Sequence, residues 1–249
     1  MKLVLDIGAT NTRILKAATY EEENVEIFKT KDVHNLSKIL KDRIKNVDKI
    51  VIAAAGPKNK DEIKLTNHDL TINQKTLEKE LQTKTVLIND LESQAHYFKS
   101  KYANNISLVA VGTGLGVAHV INNNVITSEA GHIKNENQEY ETLISGKGLQ
   151  KLHKKIHHKT STSKQAIKDD KVKKEFLQQL GKFCQIIALT NLPQNIILSG
   201  GVIQKNYAAI NMEEIRKHFE KSSQKKVLKK IKIIKNKQKY VGLKGALTL

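Results

Sequence analysis

Residues 3–15 read Leu3-Val4-Leu5-Asp6-Ile7-Gly8-Ala9-Thr10-Asn11-Thr12-Arg13-Ile14-Leu15. An apolar run ends on a carboxylate, a Gly-Ala-Thr-Asn turn follows, and a second apolar run begins. This pattern predicts a β-hairpin whose tip offers backbone N–H groups and a hydroxyl to a polyphosphate. The plan recurs at Leu108-Val109-Ala110-Val111-Gly112-Thr113-Gly114-Leu115-Gly116-Val117-Ala118-His119-Val120. Two strand–turn–strand units in one chain predict a duplicated α/β architecture that holds phosphates between its halves.

The composition narrows the class. The chain has 249 residues, 39% hydrophobic and only 4% aromatic, so Leu, Ile, Val and Ala must fill the core. Lys and Arg number 43 against 25 acidic residues, a formal charge of +18. The lysines are spread through the chain, which reads as a generally basic surface; a nucleic-acid partner is not expected. Cys184 is the single cysteine, which excludes an intrachain disulfide and a Cys-rich zinc site. No apolar run reaches the ~18 residues of a membrane span. The chain enters its first strand with no signal-like segment ahead of it, so a cytoplasmic location is expected.

In chain order, strands are expected at Leu3–Ile7, Thr12–Lys16 and Val25–Thr30, then a helix with Leu36, Ile39, Leu40, Ile44 and Val47 on one face. A strand at Lys49–Ala55 closes on Gly56-Pro57, and Lys58–Lys64 reads as a polar excursion. A helix carrying Leu77 and Leu81 leads to a strand at Thr85–Asn89 and a helix at Leu91–Lys101. The second half opens with the hairpin Ser107–Ile121 and continues at Val125–Thr127. A helical piece is expected before Glu141, and Gln165–Asn191 reads as mainly helical. A strand at Asn195–Leu198, a helix around Met212–Lys221, an alternating strand at Val227–Lys235 and a docking helix at Gly242–Leu249 complete the reading. The expected domains are 1–101 with about 242–249, and 102–241.

Several residue types suit particular chemistry. Gly8, Thr10 and Asn11, and Gly112, Thr113, Gly114 and Gly116, let backbone approach phosphate oxygens. Asp6 suits Mg2+ held through water. Asp90, directly after a strand, suits the base that accepts a hydroxyl proton in phosphoryl transfer, or the cap of the helix beginning there. Asn67, Glu129, His132 and Glu141 supply polar groups of the kind a sugar needs. Gly200-Gly201 opens a helix after an apolar strand, where a nucleotide can lie against the backbone. The run His153-Lys154-Lys155-Ile156-His157-His158 lacks a nearby acidic or Cys partner and is read as surface, not as a metal site.

The order of these motifs resembles the bacterial-type glucokinase family of the hexokinase–actin–Hsp70 superfamily. Asp-Ile-Gly-Ala-Thr-Asn-Thr-Arg (6–13) is similar to its first phosphate motif, and Gly-Thr-Gly-Leu-Gly-Val-Ala-His (112–119) to its second. Leu-Thr-Asn-His (65–68), Ile-Asn-Asp (88–90), Glu-Ala-Gly-His (129–132) and Glu-Thr-Leu-Ile-Ser-Gly-Lys-Gly-Leu (141–149) are similar to its sugar and catalytic segments, and Ser-Gly-Gly (199–201) to its adenosine motif. The resemblance implies a two-domain actin-like (ribonuclease H-like) fold with a cleft between the domains. It implies ATP-dependent phosphorylation of a hexose, glucose foremost, at the 6-hydroxyl, with mannose, glucosamine or an N-acetyl sugar as alternatives. An inactive sugar- or nucleic-acid-binding relative is the rival outside catalysis. Asp90 is then the base, and Asn67, Asn89, Glu129, His132 and Glu141 bind sugar. Asp6, Gly8, Thr10, Asn11, Arg13, Gly112, Thr113, Gly114, Gly116, Gly200 and Gly201 serve ATP and Mg2+. Polyphosphate or ADP stays open as donor, and a homodimer is compatible with the resemblance. Ala9 and Ala130 stand where the family usually has Gly, which requires negative φ at both. The repressor branch, with its Cys-rich zinc motif and helix-turn-helix domain, is not expected.

Overall fold

β1 (Lys2–Ile7) and β2 (Asn11–Ala17) pair antiparallel with Asp6 opposite Arg13, and β3 (Glu26–Lys29) extends the pairing on the far side of β2. After α1 (Leu36–Lys41), β4 (Lys49–Ala54) adds parallel to β1. Leu3, Val4 and Leu5 of β1 and Ile50 to Ala54 of β4 are fully buried. Central strands covered on both faces read as continuous apolar runs. These features come from a computed structural model that describes residues 1–66, 68–102 and 105–249. It divides into two units, Met1–Lys101 with Tyr240–Leu249, and Tyr102–Lys239.

The expected polar excursion at 58–64 is instead part of a small sheet of β5 (Lys58–Asn59), β6 (Glu62–Lys64) and β7 (Thr71–Asn73). Ile63 and Ile72, paired across β6 and β7, turn inward among exposed polar neighbours. Strands of two or three residues show too little alternation to stand out from a loop. The helix expected to reach Val47 ends at Lys41, and Asn46 takes a left-handed turn at φ 61°. α2 (Gln74–Leu81) buries Leu77 and Leu81, β8 (Thr85–Asn89) joins parallel to β4, and α3 (Asp90–Lys99) follows.

The second unit repeats the plan. β9 (Ile106–Val111), β10 (Leu115–Ile121) and β11 (Asn124–Ser128) form the antiparallel part of its sheet. The expected helical piece before Glu141 is a hairpin of β12 (Lys134–Asn135) and β13 (Gln138–Glu139), turned by Glu136 at φ 56°. α4 (Tyr140–Ile144), α5 (Gly146–His157), α6 (Ser163–Ala166) and α7 (Asp170–Asn191) come next. β14 (Asn195–Ser199) pairs parallel to β9, and α8 (Gly201–Lys205) and α9 (Met212–Phe219) follow. The alternating strand expected from Val227 is corrected: Lys225–Leu228 is the helix α10, which buries Leu228, and only β15 (Lys232–Lys235) pairs with β14. The two large sheets have orders β3-β2-β1-β4-β8 and β11-β10-β9-β14-β15, which correspond strand for strand.

The last helix, α11 (Val241–Leu247), returns to the first unit against α3 and β1. Gly245 meets the carbonyl of Ser93 so closely that a Cβ there would lie 1.7 Å from its oxygen. Ser93 Oγ donates to the Gly242 carbonyl at 2.7 Å. Among the described residues no helix is long and apolar enough to cross a membrane.

Candidate active site

In the first unit, β8 and α3 set the central acid. Asn89 caps α3, its Oδ1 accepting from Leu91 N at 2.8 Å while its Nδ2 donates to the Gly56 carbonyl at 2.8 Å. Asn89 thus supplies the N-cap, and Asp90, the first residue of the helix, is partly buried. Loss of solvation, and then the charge on Asp6, push the Asp90 pKa up from 3.8 to about 7, against opposing help from the N–H groups of Leu91 and Asp90. Asp6 lies at the end of β1 and receives Arg13 Nη1 at 3.2 Å, directly across the hairpin. Burial raises the Asp6 pKa, and the Arg13 charge and hydrogen bond work the other way. Arg13 also lies over the ring of Tyr240, the residue before α11, at 5.5 Å.

The turn between β1 and β2 is fixed by Gly8 N donating to Asn11 O at 3.1 Å and Thr30 Oγ1 donating to Gly8 O at 2.7 Å. Thr10 is exposed at its tip. Among the described residues, the N–H groups of Ala9 and Thr10 have no backbone acceptor, as an anion-binding turn requires. Ala9 and Ala130 both keep negative φ, so the extra methyl groups cause no backbone strain. Asn67 lies outside the described residues; its neighbour His68 reaches the Ala9 carbonyl through Nε2 at 2.9 Å.

In the second unit, Gly112 N donates to Gly114 O at 2.9 Å, and Gly146 N donates to Gly112 O at 2.8 Å, tying the turn to the start of α5. Thr113 is the exposed residue at this tip. Gly116 is inside β10, paired with Ala110, and does not belong to the turn. Glu141 Oε2 accepts from Leu115 N at 2.9 Å, and a Cβ on Gly114 would lie 2.5 Å from that oxygen. Gly200 has φ +90° and approaches the Val111 backbone, whereas Gly201 faces open space. Gly112, Thr113 and Gly201 line one cavity of about 350 Å3, together with Lys147, Lys164 and Lys205. Lys147 stood in the 141–149 motif read as a sugar segment, whereas Lys164, Lys205 and their neighbour Ser163 did not stand out, because α5, α6 and α8 come together only in the folded chain.

Glu129 precedes the short 3-10 turn Ala130–His132, His132 ends it, and both are exposed. His132 Nδ1 bonds Glu139 Oε2 at 3.0 Å, and its Nε2 lies 3.7 Å from Glu129 Oε2. The hydrogen bond to Glu139, with the charges of Glu139, Glu141 and Glu129, raises the His132 pKa despite some desolvation. Glu139 escaped notice because it supports His132 from the following hairpin. Among the described residues no group of three or more His, Cys, Asp or Glu converges as a metal site. The charge on Asp6 opposes ionisation of Asp90, and the Asp6 carboxylate is of the donor type that would hold a hydrated Mg2+ through water.

The chain is similar to known proteins over most of its length. The glucokinase family profile matches residues 3–249. A glucokinase of Colwellia psychrerythraea is 25% identical over 287 aligned residues, covering 88% of this chain and 86% of the relative. The crystal structure of a glucokinase from Balamuthia mandrillaris in complex with glucose superposes with a TM-score of 0.81 at 20% identity, covering 99% of this chain and 92% of that one. A ROK family glucokinase from Streptomyces griseus in complex with glucose and AMPPNP gives a TM-score of 0.76 at 17% identity, covering 99% and 98%. The duplicated sheet and its glycine turns thus define an actin-like fold, and the family profile places the chain in the sugar-kinase class. Within that class the chain belongs to the glucokinase family, and its activity is ATP-dependent phosphorylation of a hexose.

Proposed function

We propose that the hexose is glucose, that the 6-hydroxyl is the acceptor, and that Asp90 is the base. In this reading Asp90 accepts the hydroxyl proton as the sugar oxygen bonds to the γ-phosphorus of ATP. The bond from that phosphorus to the bridging oxygen breaks, and ADP leaves with the electron pair. Asn67, Asn89, Glu129, His132 and Glu141 hold sugar hydroxyls. The turns at Gly8–Asn11 and Gly112–Gly114 and the backbone at Gly200–Gly201 receive the nucleotide, with Lys147, Lys164 and Lys205 offsetting phosphate charge. Mg2+, held through water by Asp6, would spread the charge developing on the transferred phosphoryl group. Arg13 keeps the Asp6 carboxylate oriented. The enzyme works in the cytoplasm with sugar and nucleotide as its partners.

The observation that supports this reading best is the division of labour at Asn89 and Asp90. The cap is supplied by Asn89, and Asp90 has a proton affinity matched to neutral pH, where a general base works well. A coupled assay of ADP release over a panel of sugars tests it. Glucose should give the highest kcat/KM, and the Asp90→Asn variant should lose about 100-fold or more in kcat. A higher kcat/KM for another hexose would overturn the choice of glucose, and near-normal turnover by the variant would overturn the base.

A further inference from the structure

The second unit carries a cavity of about 870 Å3 that none of these assignments uses. It lies between the β12–β13 hairpin and the helices α4, α5 and α7. Its floor is apolar, formed by Leu143, Leu152 and Ile156. Four lysines, Lys134, Lys151, Lys155 and Lys171, stand around it. Among the described residues none of the four is in an ion pair, unlike Lys173 nearby, which binds Asp170 at 2.6 Å.

The cavity's two carboxylates each have a hydrogen-bond partner other than the lysines. Glu175 Oε1 accepts from Gln179 Nε2 at 2.7 Å, and Gln179 Oε1 in turn accepts from Asn135 Nδ2 at 2.9 Å. Glu139 Oε2 bonds His132 Nδ1 at 3.0 Å. Four lysines against two carboxylates leave the lining net positive, which favours an anion from solution, while the wall formed by the buried Gln179 is internally satisfied. The volume is that of a small-molecule site, and lysine ammonium groups bind phosphate as point charges.

We propose that this cavity binds a small organic phosphate with an apolar or planar body, at a site separate from the one that binds the donor. The body covers Leu143, Leu152 and Ile156, and the phosphate is held by the lysines. Inorganic anions supply the charge without the body and bind more weakly. Glu139 belongs to both this cavity and the His132 pair, so occupancy changes the affinity for sugar. That last clause rests on the proposed role of His132; the site itself does not.

Equilibrium dialysis of the full chain against labelled adenosine monophosphate at low salt tests the site. Two equivalents are expected for the unaltered protein and one for Lys151→Glu/Lys155→Glu, with the second equivalent retained at reduced affinity in Lys151→Gln/Lys155→Gln. Both positions are exposed, and the melting temperature of each variant confirms folding. One equivalent in both proteins, or two in both, overturns the proposal. A single equivalent that the variant loses would support this cavity and count against the donor assignment instead. Competition by pyrophosphate at the lysine-dependent equivalent should be about tenfold weaker than by the nucleotide. Equal competition overturns the apolar-body requirement. With ATP saturating, adenosine monophosphate should shift the sugar KM of the unaltered protein and not that of the variant; equal shifts overturn the coupling to His132.

Discussion

Asp90 loses solvation and faces the charge on Asp6, and these two effects, the first the larger, bring its pKa to about 7. The proposed base is therefore part-protonated at neutral pH. We expect kcat/KM to fall as pH drops through about 7, with an acid limb that Asp6→Asn shifts to lower pH. Initial rates from pH 5 to 9 measure this.

The same shift makes a stability prediction. Folded Asp90 holds its proton more tightly than the ordinary value of 3.8 that the unfolded chain shows. Between about pH 4 and pH 7 the folded state binds more protons, so this group's contribution to stability decreases as pH rises across that window. Asp90→Asn lacks the titration. Its melting temperature should exceed that of the unaltered protein above pH 7, and the advantage should shrink toward pH 4.

Gly242 of α11 lies against Asp6, where an added Cβ would stand 2.8 Å from Cγ. Gly242→Ala should displace Asp6 and lower kcat more than it raises the sugar KM. Gly245→Ala, which would strike the Ser93 carbonyl instead, should destabilise by about 1–3 kcal/mol through overpacking. Steady-state kinetics and thermal melts separate the two effects.

Glu141 is assigned to sugar, yet its carboxylate accepts the N–H of Leu115 directly after the Gly112–Gly114 turn. Glu141→Ala should therefore raise the KM for ATP as well as that for sugar. A change confined to sugar would show that the turn holds its shape without Glu141.

His132 owes its raised pKa first to the hydrogen bond with Glu139. Glu139→Gln should lower that pKa toward the ordinary value of 6.5, as followed by NMR titration of the imidazole. The imidazolium stabilises the fold below that ordinary value, and the contribution is lost as pH rises through the raised folded pKa.

The two hairpins were legible because apolar runs on both sides of a glycine turn leave few alternatives to β1–β2 and β9–β10. Asp90 was legible by its place after β8, but Asn89 and Asp90 could not be ranked as cap until the side chains were seen. Leu228 misled because its alternating neighbours read as a strand, while its burial comes from the α10 turn. The contact of Gly242 with Asp6 and the gathering of Lys147 and Lys164 beside Gly201 join residues far apart in sequence. No local spacing could announce them.

The central assignment is the proton acceptor. Asp90→Ala should abolish sugar-dependent ADP release while calorimetry still detects glucose binding within about tenfold of the original affinity. Turnover by Asp90→Ala within a few-fold of the unaltered enzyme would contradict the account.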